Sequence, residues 1–355
     1  MSVAVVTGAG GLVGAEAVRF LSGKGFEVVG VDNDTRARLF GAEASTRGGW
    51  TALEREVGRY RHLDIDIRDN ALAERVFARH GSDITLVVHA AAQPSHDWAA
   101  RDPAEDFSIN ATATLGLLEA ARRHCPAAVF IFCSTNKVYG DTPNRLPLVE
   151  LETRWDLPEG HDWFDGIDER MSIDATMHSL FGVSKCAADL MVQEYGRYFG
   201  MRTACFRCGC ITGPSHAGAE MHGFLSYLVQ CAVIGRPYRV IGYAGKQVRD
   251  NIHSRDLVAA FWHFFENPSV GAVYNMGGGR RANCSVLEAI GMTERLTGRP
   301  MQWSDEPRPR VGDHQWWISD TSRFETDYPD WKPAYGIGDM IGEIHDEAAS
   351  RRGQP

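Results

Sequence analysis

The stretch Gly8-Ala9-Gly10-Gly11-Leu12-Val13-Gly14 follows the apolar run Val3–Thr7 and leads into the amphipathic stretch Val13–Leu21. A strand that turns on glycines straight into a helix is the opening unit of a parallel sheet covered by helices. Gly8, Gly11 and Gly14 allow a tight turn, close approach of the backbone to a pyrophosphate, and packing of helix on strand. Leu12 and Val13 lie in the first helical turn, whose N-terminus faces anions. A glycine cluster alone is a weak signal; the strand–turn–helix context is what gives it weight.

The pattern that follows agrees with such a sheet. Short apolar runs at Glu27–Val31, Arg61–Asp64, Leu86–His89, Ala128–Cys133 and Thr203–Arg207 read as strands buried on both faces. Between them lie helical stripes, among them Asp106–His124, with Ile109, Ala113, Leu117 and Ala120 on one face. After Thr212 the alternation loosens, with short strands at Tyr238–Ile241 and Val273–Met276. The expected fold is α/β, a Rossmann-type doubly wound parallel sheet with a smaller C-terminal substrate-binding lobe. The division expected is 1–212 for the sheet domain and 213–355 mainly for the lobe. Within it, 141–177 reads as a lid-like insertion, being long, polar and rich in turn residues, and 237–262 as returning to the first domain.

Composition narrows the partners. The 355 residues carry a net charge of −9 without a basic run, which argues against nucleic acid. No apolar stretch is long enough to span a bilayer, and the first residues lack the charged leader of a signal peptide. Eight cysteines at no framework spacing suit reduced thiols in a cytoplasm.

Asp32 ends the second strand, eighteen residues past Gly14. A carboxylate there, with Asn33 beside it, accepts hydrogen bonds from ribose hydroxyls and repels a 2′-phosphate, so NAD is expected. Arg36 and Arg38 leave NADP as the alternative. Asp66 is placed to accept from the adenine amino group, with the Ile67 backbone completing the pairing; Asp69 suits a helix N-cap. Ala90-Ala91-Ala92, after the fourth strand, let the backbone approach the cofactor, and His89 reads as a packed structural histidine.

At the end of the fifth strand stands Ser134-Thr135-Asn136-Lys137-Val138-Tyr139-Gly140-Asp141. Phe181 and Lys185 lie four residues apart, on one helix face. With Arg207, Gly213-Pro214 and Gly245-Lys246-Gln247-Val248-Arg249-Asp250, these motifs resemble the extended short-chain dehydrogenase/reductase family of nucleotide-sugar epimerases and dehydratases. The resemblance covers nearly the whole chain. The helix Ser184-Lys185-Cys186-Ala187-Ala188-Asp189 and the 134–141 run bring it nearest the CDP-paratose (CDP-tyvelose) 2-epimerase branch. Such an enzyme keeps its NAD, oxidises C2 of the sugar and returns the hydride to the other face.

The resemblance implies that Thr135 hydrogen-bonds the oxygen being oxidised and that Lys185 binds the nicotinamide ribose and supplies positive charge. Asn136 and Lys137 stand where relatives carry extra acid/base groups. Phe181 occupies the position of the catalytic tyrosine, and a phenyl ring passes no proton. Three readings follow. Another group acts as base, with Lys137, His178 or a water bridged by Thr135 as candidates. An engineered Tyr→Phe traps a bound substrate. Or the chain binds NAD and a nucleotide sugar without turnover.

The resemblance further implies that Arg249 and Arg310 bind the diphosphate of a CDP-, UDP- or GDP-sugar, since forked guanidinium groups suit phosphate oxygens. Their alternative is ion pairing with Asp250 or Asp313. Gln93 is placed to reach a sugar hydroxyl and His222 the nucleobase. Trp316 and Trp317 are equally core or ligand-stacking. Cys210 replaces an asparagine of many relatives. Cys205, Cys208 and Cys210 lack a second ligand pair, so no metal is expected. Relatives commonly pair through two long helices, which implies a homodimer through Asp106–His124 and Phe181–Phe199. A 4-epimerase, a 4,6-dehydratase and a non-catalytic binding protein are the competing functions; Lys137, where dehydratases carry glutamate, ranks dehydration lower.

Overall fold

The computed structural model describes residues 2–216, 218–220 and 223–352. The chain forms two compact units. The first comprises residues up to Val138, Ser179–Arg207 and Val258–Tyr274; the second comprises Tyr139–His178, Cys208–Leu257 and the remainder from Asn275.

The first unit is built on strands β1 (Val3–Thr7), β2 (Glu27–Val31), β3 (Tyr60–Leu63), β4 (Ile84–His89), β5 (Val129–Thr135), β6 (Arg202–Cys208) and β7 (Ala272–Met276). Their order across the sheet is β7-β6-β5-β4-β1-β2-β3. β1 runs parallel to both neighbours, with Val5 beside Val29 on one side and Val87 on the other. The order reverses at β1, and in doubly wound sheets ligands gather beyond the carboxyl ends of the strands at that point.

Helices α1 (Leu12–Gly23), α2 (Ala113–His124) and α3 (Leu180–Phe199) belong to this unit. Leu117, Leu118, Ala188 and Val192 of α2 and α3 join Val5, Val87, Phe130 and Phe132 of the sheet in one buried cluster. Ser179 caps α3 by accepting from the Gly182 amide, and Gly200 ends it in the left-handed region.

The single helix expected over Asp106–His124 is interrupted. A short helix Pro103–Phe107 passes into a π turn at Ser108–Thr112 before α2 begins. The apolar stripe survives because the wider turn holds Ile109 and Ala113 inward. It also turns Asn110 into a buried polar network, which the stripe alone does not report.

In the second unit, the central strand Val248–His253 pairs with Asn283–Ser285, Trp316–Trp317 and Cys210–Thr212. Tyr238–Ile241 pairs with Trp303–Glu306. Leu228, Val229, Val240, Ile290 and Ile341 form its apolar core. Trp316 and Trp317 are fully buried; Trp317 stacks on Tyr139 with centroids 5.4 Å apart.

The segment 141–177 is pinned inside this unit. It carries a small hairpin, Val149–Glu150 against Trp155–Asp156. Arg154 grips Glu288 through two donors at 2.6 and 2.8 Å, and Arg280 grips Asp156 at 2.7 and 2.8 Å. The sequence reading returned 237–262 to the first domain. The returning segment is instead Val258–Tyr274, which carries Phe261, Phe264 and Tyr274 onto the ring of Phe206 in β6.

Candidate active site

The glycine turn closes at the carboxyl end of β1. The Gly8 and Ala9 amides donate to the Val31 carbonyl, and the Gly11 amide donates back to Gly8. Gly8 adopts φ +70°, and a Cβ there would approach the Ala91 amide to 2.8 Å. A Cβ on Gly14 would strike the Gly8 carbonyl and lie 2.8 Å from the Ala9 Cα. The neighbours in both places are backbone, so the turn exists in this shape only with glycine. Leu12 and Val13 follow at the start of α1.

Two other strand ends meet this turn. Asp32 accepts from the Gly10 amide at 3.0 Å, from the Asp34 amide at 2.9 Å and from the Thr46 hydroxyl at 2.9 Å. Asn33 caps the next residues by accepting from the Thr35 amide and hydroxyl. Ala90–Ala92 leave β4 against Gly8, with the Ala91 amide donating to the Thr7 hydroxyl. His89 is structural, bonded between the Thr7 and Thr114 hydroxyls at 2.7 and 2.9 Å. Burial holds its imidazole down to about 3, so it stays neutral.

Asp66 bonds Arg68 through both carboxylate oxygens, and those bonds hold it below the usual carboxylate range. Ile67 is buried beside Val31, Ile109 and Ala113. Asp69 caps the helix that follows by accepting from the Leu72 amide.

The second cluster gathers at the end of β5. Lys185 is 3% exposed as a residue; its ammonium donates to the Cys133 carbonyl at 2.8 Å and lies 4.0 Å from the Phe132 ring centroid. Ser134 donates to Asp189 one turn further along α3. The Thr135 hydroxyl accepts from the Lys137 amide and donates to Asn136 Oδ1 at 3.4 Å. Phe181 is 6% exposed, and its ring meets the His96 ring edge-on, with centroids 5.1 Å apart. His96 Nδ1 lies 2.7 Å from the Ser179 hydroxyl.

Gln93 does not reach outward. It is fully buried, its amide nitrogen donates to the Ser95 carbonyl and Asp106, and its amide oxygen accepts from the Ser95 amide. Asn110 extends the network, donating to the Gln93 carbonyl, Asp106 and Ser184. Burial pushes the Asp106 carboxyl up. Gln93 therefore braces the turn after β4 and has no amide group left over for a sugar hydroxyl. His96 and Asn110 were missed by sequence reasoning. The available signals were a histidine seven residues past β4 and an asparagine inside an apolar stripe.

The remaining candidates lie in the second unit. His178 Nε2 donates to the Ile173 carbonyl at 3.0 Å, while its buried Nδ1 has no hydrogen-bond partner among the described residues. That contact turns it to its own loop. Arg249 is buried and pairs with Asp313 at 2.6 Å while donating to the Val248 carbonyl. Asp250 is no partner to it. It accepts from the Ser319 amide, and burial pushes it up to about 6. Arg310 donates to the Glu220 carbonyl. Cys210 lies on the strand paired with Asn251. His222 lies outside the described residues. Among the described residues no group of three or more histidine, cysteine or acidic side chains is placed to hold a metal ion.

Comparison with known proteins gives a consistent picture. A model of the NAD dependent epimerase/dehydratase family matches residues 4–277. CDP-paratose 2-epimerase of Salmonella typhi is 30% identical, the match covering 98% of this chain and 99% of that one. A dTDP-glucose 4,6-dehydratase of Neisseria meningitidis serogroup B is 27% identical over 81% of this chain and 74% of its own length. The crystal structure of UDP-glucose 4-epimerase from Bifidobacterium longum, in complex with NAD+ and UDP, superposes with a TM-score of 0.78 at 25% identity, covering 99% of each chain.

Proposed function

The chain belongs to the NAD dependent epimerase/dehydratase family, and from that premise we propose that it inverts one carbon of a nucleotide-diphosphate sugar by transient oxidation, in the manner of a CDP-paratose 2-epimerase. The observation that carries the reading is the end-to-end similarity to that enzyme, together with a glycine turn that tolerates no Cβ at Gly8 or Gly14.

NAD is the cofactor, and the residues of the first unit fit it. Gly8–Gly14 and the start of α1 would hold the pyrophosphate, with the helix N-terminus supplying amides and partial positive charge. Asp32 and Asn33 would hold the adenosine ribose, and Asp66 with the Ile67 backbone the adenine. Ala90–Ala92 would line the approach to the nicotinamide half. When bound, NAD accepts a hydride from the sugar and gives it back.

The rest is the work of this chain. Lys185 places a positive charge beside the carbinol, where it stabilises negative charge developing on oxygen. Thr135 donates to that oxygen, and Asn136 and Lys137 flank it. Arg249 and Arg310 take the diphosphate, with Asp313 orienting Arg249. Cys210 and His222 are assigned to the sugar and base. We place the enzyme in the cytoplasm; no helix among the described residues is long and apolar enough to cross a membrane. We assign it a homodimer, for which α2 and α3 carry the exposed apolar residues Leu115, Val183 and Leu190.

Phe181 favours one second reading, binding without turnover. Incubation with CDP-, UDP- and GDP-sugars in heavy water, followed by NMR, separates the two. Inversion without solvent deuterium supports transient oxidation at the inverted carbon. Deuterium at a neighbouring carbon means enolisation, and no change across the panel supports the binding protein.

The cofactor assignment has its own test. Gly14→Ala forces a Cβ into backbone, a distortion of about 1–3 kcal/mol, so NAD binds about ten- to a hundredfold more weakly by titration. Gly23→Ala, also on α1 but facing open space, binds NAD as the wild type does. Equal affinity in both variants would remove the glycine turn from the cofactor site.

A further inference from the structure

This inference rests on the proposed placement of the adenosine ribose at Asp32, and concerns what holds that carboxylate and what it refuses. The chain leaves β2, bends at Asp34 and folds back, so that Thr46 returns to Asp32 across 14 residues. Asp34 adopts φ +53° and ψ +31°, the left-handed region that aspartate enters more readily than most residues. Such a conformation persists where its surroundings hold it. Here the Asp34 carboxylate accepts from the Ser45 hydroxyl and from the Thr46 amide, both at 2.7 Å. The Thr46 hydroxyl lies between two carboxylates, 2.9 Å from Asp32 Oδ1 and 3.2 Å from Asp34 Oδ1.

The returning loop also rests on the glycine turn. A Cβ on Gly10 would come within 2.7 Å of the Thr46 carbonyl oxygen, and one on Gly49 within 2.4 Å of the Gly10 carbonyl oxygen. Thr46 is 6% exposed, and the helix that follows it, Arg47–Glu56, is anchored by buried Trp50 and Leu53. Thr46 is thus fixed against the same turn that the cofactor reading assigns to the pyrophosphate.

The balance of donors and acceptors decides what this cluster can bind. An ionised carboxylate has about four acceptor directions and no donor. Asp32 takes the Asp34 amide and the Thr46 hydroxyl on Oδ1, and the Gly10 amide on Oδ2. Asp34 takes the Thr46 amide and hydroxyl on Oδ1, and the Ser45 hydroxyl on Oδ2. Each of these donors already points at a carboxylate. What remains, among the described residues, is acceptor capacity on the two Oδ2 atoms. Ribose hydroxyls supply the donors that such oxygens need. A 2′-phosphate brings acceptors and negative charge. Arg38, a candidate for that phosphate, is held by Glu105 through both terminal nitrogens at 2.6 and 3.3 Å. Arg36 feels both carboxylates, but it donates to the Ala44 carbonyl and lies over the Phe40 ring.

We propose that Thr46, clasped between Asp32 and Asp34, sets the cofactor preference of this chain. Its hydroxyl fixes the Asp32 carboxylate for a ribose diol. Together with Asp34 it leaves the place rich in acceptors and negative, so NAD is bound and NADP refused. Thr46 is a positioning residue, acting through the two carboxylates, and Asp34 is a second specificity residue beside Asp32.

The test compares wild type, Thr46→Val, Thr46→Ser, Asp34→Asn and Asp32→Asn by calorimetric titration of the full chain with NAD and with NADP. Each protein yields a ratio of two dissociation constants. The wild type favours NAD. Thr46→Val keeps the shape and loses the bridging hydroxyl, and the preference falls about tenfold or more, the worth of one hydrogen bond to a charged group. Thr46→Ser keeps the hydroxyl and the preference. Asp34→Asn keeps Oδ1 for Thr46 and sets an amide where a charged oxygen stood, so NADP binds about tenfold more tightly while NAD is unchanged. The ratio separates positioning from a general structural role, because a merely loosened fold weakens both dinucleotides alike. Equal weakening of the two in Thr46→Val, or wild-type ratios in both Thr46→Val and Asp34→Asn, overturns the proposal. If Asp32→Asn still loses the preference in that case, the ribose reading at Asp32 stands. If Asp32→Asn keeps it too, that reading has failed as well.

Discussion

Asp189→Ala unfolds at lower urea concentration than the wild type, with a loss of about 3–5 kcal/mol, the cost of leaving one member of a buried ion pair behind. Arg207 and Asp189 are almost completely buried, with side-chain exposures of 7% and 1%. The guanidinium meets the carboxylate through two donors, Nη2 at 2.7 Å and Nε at 3.1 Å. Ser134 and Gln193 fill the remaining acceptor positions at 2.5 and 2.6 Å. Removing the carboxylate strands a cation between α3 and β6 and removes the acceptor for two neutral donors. Replacing both charges, Asp189→Leu with Arg207→Met, costs less than Asp189→Ala alone, because no unpaired charge stays inside. A single variant within about 1 kcal/mol of wild type, the range of an exposed pair, would show that the pair is not structural. The consequence reaches the site, since Ser134 precedes Thr135 and Asp189 lies one turn after Lys185.

Lys185→Met lowers kcat for nucleotide-sugar inversion by roughly 10²- to 10³-fold, the usual cost of removing one preorganised charge from a dry site. The side chain is buried, and its ammonium is fixed by the Cys133 carbonyl and the face of Phe132. Methionine keeps the packing volume, so urea unfolding changes little, and the loss is in turnover. Lys185→Arg does not recover it, because a forked planar guanidinium cannot occupy the place of a compact ammonium. The measurement is steady-state kcat at saturating sugar nucleotide, with NAD retention checked by absorbance after denaturation. A kcat within threefold of wild type would show that the charge beside the carbinol comes from elsewhere.

Much of the first unit was legible because its signals are local. β1, β2 and the glycine turn stand where the apolar runs and glycines put them, and Asp69 caps its helix as the spacing suggested. The polar residues near the site were read less well. Gln93 has the position of a ligand-binding residue and the bonding of a strut. His178 has the spacing of a base, one turn before the Phe181–Lys185 face, and its ring is turned to the Ile173 carbonyl. Asn110 interrupts an apolar stripe for a reason visible only when Gln93, Asp106 and Ser184 are seen around it. Arg249 reads as a phosphate ligand and is found held by Asp313, a residue sixty-four positions away.

The amino-acid order alone determined a doubly wound sheet, a glycine turn between its first strand and first helix, a carboxylate at the end of the second strand and a phenylalanine at 181. Each depends on backbone freedom, side-chain period or the identity of one residue, and these are properties of short segments. Only the tertiary structure decided that Gln93 faces inward, that α3 is locked to β5 through Asp189, and that His96 stands against Phe181. Those outcomes require groups from 13 to 85 residues apart to come within hydrogen-bonding or van der Waals range, and no local pattern carries that information.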